Sequence, residues 1–156
     1  MLLKILVPVD GSTQAERALD YAIFLAKTCG ASLGIIHVVQ LPTTWPVPRN
    51  WSIPTPPDNL VHDERQTYHR MVELIEANGK GILELGEVKA KTAGLTVEKI
   101  MESGHPADRI VKAASDKEYD LIVMGSRGIS GIKEMLLGSV SHHVCQHAKC
   151  SVLIAR

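Results

Sequence analysis

Five short apolar runs, rich in branched residues, recur along this chain of 156 residues, and helix-patterned segments lie between them. No other feature constrains the fold as tightly. The first run, "LLKILVPV" (2–9), is hydrophobic on both faces, as a central strand of a parallel sheet must be. "SLGIIHVV" (32–39), "LTVEKIM" (95–101), "YDLIVMG" (119–125) and "SVLIAR" (151–156) follow. Between the first two, Thr13 and Glu16 form a capping-box pattern, and Ala15, Ala18, Leu19, Ala22 and Ala26 line one face of a helix ending at Gly30. Residues 59–93 carry a helical stripe at Tyr68, Met71, Ile75, Ile82 and Leu85, weakened by Gly79, Gly81 and Gly86. "HPADRIVKAAS" opens a third helix with Pro106 in its first turn, and Leu136 to His147 gives a fourth.

Strands alternating with helices imply a single α/β domain over 1–156, a parallel sheet covered on both faces. Right-handed crossovers favour a doubly wound layout, and the common order 3-2-1-4-5 reverses its winding between strands 1 and 4. Ligands bind outside the carboxyl ends of strands at such a reversal. Here those ends are "VPVDGS" and "VMGSRG".

Seventeen basic residues balance seventeen acidic ones without a run of like charge, which disfavours a nucleic-acid binder. No stretch approaches the roughly 18 apolar residues of a membrane span. The N-terminus shows no charged leader or cleavage site, so the expected location is cytoplasmic. Cys29, Cys145 and Cys150 form no C-x-x-C and are expected to be reduced, mostly buried thiols. The segment 41–57 holds six of the eight prolines and both tryptophans, Trp45 and Trp51. It is too proline-rich for a helix or inner strand and is either an insertion packed on the domain's own surface or a lid or partner contact.

Residues 124–144, "MGSRGISGIKEMLLGSVSHHV", combine four glycines with four serines directly after the fourth strand. Gly125 and Gly128 can take positive φ and lack a Cβ, so backbone N–H groups can approach phosphate oxygens. Gly138 and Ser139 open the last helix, whose N-terminus favours an anion, and the hydroxyls of Ser139 and Ser141 can add hydrogen bonds or cap the helix. Neither G-x-x-x-x-G-K-[ST] nor G-x-G-x-x-G is present, since Glu134 follows Lys133. The spacing is Gly125-x2-Gly128-x9-Gly138-Ser139.

That spacing resembles the ATP-binding signature of the universal stress protein family. The likeness extends over "KILVPVDGS", "HVV", "GHPADRIV", "YDLIVMGSRG" and "LLGSVSHHVCQHAKCSVLIAR", nearly the whole chain. It implies a five-stranded sheet of order 3-2-1-4-5 and bound ATP, with Mg2+ or Mn2+ held by the phosphates. Asp10 would accept hydrogen bonds from the ribose, beside Pro8 and Val9. Val38 would lie against adenine, its main chain reading the base edge. Met124, Gly125, Arg127, Gly128, Gly138, Ser139, Val140 and Ser141 would surround ribose and phosphates. The resemblance further implies a homodimer through 151–155, or a tetramer built on it, and a regulatory role toward an unidentified protein partner. A slow ATP hydrolase or adenylyl-transfer enzyme is the alternative, disfavoured because no general base or second-substrate motif stands out.

Two further features bear on chemistry. Arg127 and Lys133 can neutralise phosphate or stand solvated in their loop. "HHVCQHAKC" places His143 and His147 four apart on one helix face, a spacing that can share a metal, yet no acidic partner is near in sequence.

Overall fold

The computed structural model describes residues 4–41, 58–129 and 137–156, with backbone only for 58–68. Trp45, Trp51 and Lys133 therefore lie outside the described residues, as does the side chain of Tyr68. The elements run β1 (Lys4–Pro8), α1 (Thr13–Cys29), β2 (Ser32–Val39), α2 (Asp58–Thr92), β3 (Val97–Ser103), α3 (Pro106–Asp116), β4 (Leu121–Gly125), α4 (Ser139–His147) and β5 (Ser151–Ala155). They form one parallel sheet of order β3-β2-β1-β4-β5, as the alternating pattern implied.

Both faces of the sheet are buried, which explains the continuous apolar runs. Ile5, Val7, Leu33, Ile35 and Val123 meet the small-residue face of α1 and Leu83 and Ala90 of α2. Leu6, Ile36, Ile122 and Met124 point the other way, against Ile110 and Ala113 of α3 and Val144 of α4. Each fully buried aliphatic side chain contributes about 1.5–3 kcal/mol relative to exposure.

The helix ends follow capping chemistry. Ser12, not Thr13, caps α1, accepting from the Ala15 N–H at 3.2 Å, so the capping hydroxyl sits one residue earlier than expected. Gly30 closes α1 in the left-handed region at φ 64°. β3 begins at Val97, two residues later than the apolar run suggested.

Two of the three α2 glycines are there for the close approach of helix to sheet. A Cβ at Gly79 would stand 2.8 Å from His37 Cδ2, and one at Gly86 would stand 3.0 Å from Ile35 Cδ1. A Cβ at Gly81 would meet nothing within 4 Å. With 35 residues α2 is about 50 Å long, far longer than any strand. It runs back from the end of β2 to the start of β3, and Gly79 is level with the tip of β2. Its N-terminal half therefore overhangs the carboxyl end of the sheet.

The opposite end is closed by Tyr119, buried across Gly34 with its hydroxyl donating to Glu98 Oε2 at 3.0 Å. Burial, reinforced by this bond to Glu98, holds the phenol well above its usual pKa range. Lys117 pairs with Glu98 and holds that carboxyl below its ordinary range. The cysteines depart from expectation: Cys29 and Cys145 are exposed, and Cys150 is half-buried, its thiol pushed up by burial. Cys29 and Cys145 sit on outward helix faces, which an odd cysteine count does not reveal. No described helix is long and apolar enough to cross a membrane.

Candidate functional site

β1 and β4 pair only through Ile5–Leu121 and Leu6–Ile122, and beyond those pairs their tips separate. Val9 N–H turns toward β2, donating to Ile36 O at 2.8 Å, whereas Ser126 N–H turns toward β5, donating to Ala155 O at 3.0 Å. A crevice opens between them at the switch point of the sheet, the place where doubly wound folds hold ligands. It is a cavity of about 740 Å³. All twelve residues singled out in the sequence line it: Pro8, Val9 and Asp10 from the end of β1 and the turn after it, Val38 from β2, Met124, Gly125, Arg127 and Gly128 from β4 and its loop, and Gly138 to Ser141 from the cap and first turn of α4.

Asp10 joins the two sides. One carboxylate oxygen accepts from Ser12 N–H at 2.9 Å, and the other reaches 119 positions along the chain to Ile129 N–H at 3.1 Å. This arrangement explains Gly128, where a Cβ would lie 2.5 Å from Asp10 Oδ2. At Gly125 a Cβ would lie 2.8 Å from Gln14 Cβ, so that glycine lets α1 pack on β4. Neither glycine, nor Gly138, has the positive φ expected for a phosphate-binding turn; the constraint at the first two is space. The left-handed residue of the site is instead Gly11, at φ 82°, where the chain turns from Asp10 into α1.

Gly138 differs from both. Its backbone is extended (φ −73°, ψ 164°), and a Cβ would find only ordinary contacts, the nearest Arg127 Cα at 3.5 Å. Gly138 is the N-cap of α4 and supplies no side chain to the first turn, so the N–H groups there retain their capacity to bind an anion. Ser139 is exposed beside them. Ser141 is buried, and its hydroxyl donates within the protein, to Ser126 O at 2.7 Å, pinning α4 to the end of β4. Its proton is thus committed, and Ser139 is the hydroxyl that faces outward.

The far end of the cavity is made by β2. Successive strand residues turn their backbone polar groups to alternate neighbours. Ile36 O accepts from β1 and Val39 O accepts from Gly104 N–H on the β3 side, at 3.0 Å. Val38 therefore turns its N–H and C=O toward β1, one step past the point where β1 has ended. α2 adds a wall of Leu74, Ile75 and Asn78 near the tip of β2, of which only Ile75 was visible, as part of a helical stripe. His37 was also not anticipated, and its ring Nδ1 lies 2.7 Å from Val9 O.

The histidines of α4 have an acidic neighbour that the sequence concealed. Asp108 of α3 lies 3.1 Å from His143 Nε2 and 3.4 Å from His105 Nδ1, while the His143 and His147 rings stack at 4.1 Å between centroids. Among the described residues no group of three or more His, Cys, Asp or Glu side chains is arranged to hold a metal ion.

Relatives share this frame. The universal stress protein family model matches residues 1–156. Universal stress protein YxiE of Bacillus subtilis is 41% identical over 158 residues, covering 100% of both chains. Universal stress protein UspA from Lactobacillus plantarum superposes with a TM-score of 0.80 at 24% identity, over 99% of this chain and 97% of its own, and shares the fold. A universal stress protein solved in complex with cAMP superposes with a TM-score of 0.65 at 28% identity, over 99% of this chain and 97% of its own. By family match and by identity along its full length, the chain belongs to the universal stress protein family.

Proposed function

We propose that this protein binds an adenine nucleotide, ATP with Mg2+ or Mn2+ carried on its phosphates, and acts as a cytoplasmic regulator through the bound nucleotide. One observation carries the reading: a single cavity joins the open N-terminus of α4 to the outward-turned backbone of Val38, with the Asp10 carboxylate between. The first suits phosphate, the second a base edge, the third a ribose diol. The cAMP complex of the relative at 28% identity supports the same ligand class. Binding is favoured over hydrolysis because the sequence offers no evident nucleophile–base pair and no second-substrate motif.

ATP should bind more tightly than GTP, since a backbone donor and acceptor at Val38 suit one base edge. Asp10→Ala should weaken ATP and ADP alike, by about tenfold or more, while inorganic triphosphate binding changes little. Calorimetry decides both. Equal ATP and GTP affinities would remove the adenine pocket, and a matching loss of triphosphate affinity would make Asp10 a phosphate or metal residue.

The nucleotide-bound unit is proposed to be a homodimer through β5, the sheet edge next to β4. Ser151 N–H donates to Asp120 O and Ala155 O accepts from Ser126 N–H, so alternate residues Val152 and Ile154 turn their polar groups to the open edge. Ile154→Pro removes an edge donor without touching the β4 ladder and should convert a dimer into a monomer. Wild-type protein that sediments as a monomer at micromolar concentration would overturn the dimer.

A further inference from the structure

We infer that His37 is the positioning residue of the site, holding the Val9–Asp10 segment in register for its ligand; this rests on the nucleotide reading above. β1 ends at Pro8, leaving Val9 nearly buried without a strand partner for its carbonyl. A buried carbonyl needs a donor. His37 supplies it from the neighbouring strand at 2.7 Å, and because a carbonyl only accepts, Nδ1 carries the proton. Val9 is thereby clamped on both sides, its N–H by Ile36 O and its carbonyl by His37. The next residue is Asp10, whose carboxylate holds Ser12 and the glycine loop at Ile129.

Space for the ring is built into α2. A Cβ at Gly79 would approach His37 Cδ2 to 2.8 Å and Nε2 to 3.3 Å. Glycine inside a helix weakens it, so its use here fits a requirement for the imidazole at this position. A chain of contacts therefore runs from α2 through His37 and Val9 to Asp10 and the loop after β4.

The test compares His37→Asn, which can keep a donor near the Nδ1 position, with His37→Leu, which cannot. By calorimetry with Mg-ATP, His37→Leu should bind about tenfold more weakly, and His37→Asn within about threefold of wild type. Gly79→Ala should weaken binding in the wild-type background but add little to His37→Leu, since both displace the same ring. Undiminished binding by His37→Leu, or an equal loss in His37→Asn, would overturn the inference. If wild type binds no adenine nucleotide, the function proposed above fails, and the ligand-free protein still decides this one. The Ser12 and Ile129 amide resonances, which report on the Asp10 carboxylate, should shift in His37→Leu and stay in place in His37→Asn. Unmoved resonances in both variants would mean that His37 positions nothing.

Discussion

Gly34→Ala should lower the melting temperature by about 10–15 °C, although it adds a single methyl group to a buried strand. That Cβ would stand 1.9 Å from the hydroxyl oxygen of Tyr119, 2.7 Å from Cζ and 3.0 Å from Cε1. The neighbour is a buried aromatic ring tied to Glu98 by its hydroxyl at 3.0 Å, so it cannot swing aside without giving up that bond and its packing. Expelling a buried aromatic side chain costs about 3–5 kcal/mol, and about 1 kcal/mol moves the melting of a domain this size by about 2–4 °C. Gly81→Ala is the control. It has open space and lies within α2, so gaining helix propensity should stabilise by up to about 1 kcal/mol. One substitution thus has opposite signs at two glycines. In a Tyr119→Ala background the Gly34→Ala penalty should nearly vanish, because the clashing ring is gone. A Gly34→Ala protein melting within about 2 °C of wild type would show that the strand shifts to make room, and that the ring is not held tightly against Gly34.

Glycine also marks the limit of what the sequence makes legible. The strand order was legible because the apolar runs are buried on both faces, and crossover handedness leaves few ways to wind them. The location of the crevice followed from that order, since the tips of β1 and β4 must part where the winding reverses. Why each glycine is required was not legible. Gly125 faces α1 and Gly128 faces the Asp10 carboxylate, and both contacts join residues more than a hundred positions apart. In the sequence, Gly79 and Gly86 were weaknesses in a helical stripe; in the fold they are where α2 meets β2. The same holds for charge: Asp108 reaches His143 only because α3 and α4 pack side by side. The cap of α1 was read one residue late, at Thr13 in place of Ser12, because two adjacent hydroxyls can serve the same cap. Leu74 and Asn78 were missed because α2 overhangs the sheet by an amount that no local pattern encodes.

Gly138→Val should abolish the nucleotide-dependent stabilisation expected of wild type, while leaving the fold close to intact. The backbone at Gly138 is extended, a conformation a β-branched residue adopts readily, and its Cβ would meet neighbours only at 3.5 Å or more. The fold itself therefore does not demand glycine here, unlike Gly125 and Gly128, where a Cβ would run into Gln14 or Asp10. What remains as a reason for glycine is the approach of a ligand to the first turn of α4. A branched side chain at the cap would stand over the N–H groups that bind an anion. A ligand that binds only the native state stabilises it by RT ln(1 + [L]/Kd), about 2.7 kcal/mol at a hundredfold excess over Kd. For this domain that is a rise of about 5–10 °C in melting temperature for wild type with Mg-ATP, and almost none for Gly138→Val. Gly138→Ala, with a smaller intrusion, should fall between. The measurement separates two meanings of a glycine-rich stretch. If Gly138→Val melts near wild type and still gains the full shift, the phosphates lie away from α4 and the stretch is only a connection. Phosphate release in parallel should stay far below about 1 s⁻¹, since no general base or second-substrate motif stands out in the sequence. Ordinary turnover that disappears in Gly138→Val would instead make this cavity the active site of a hydrolase.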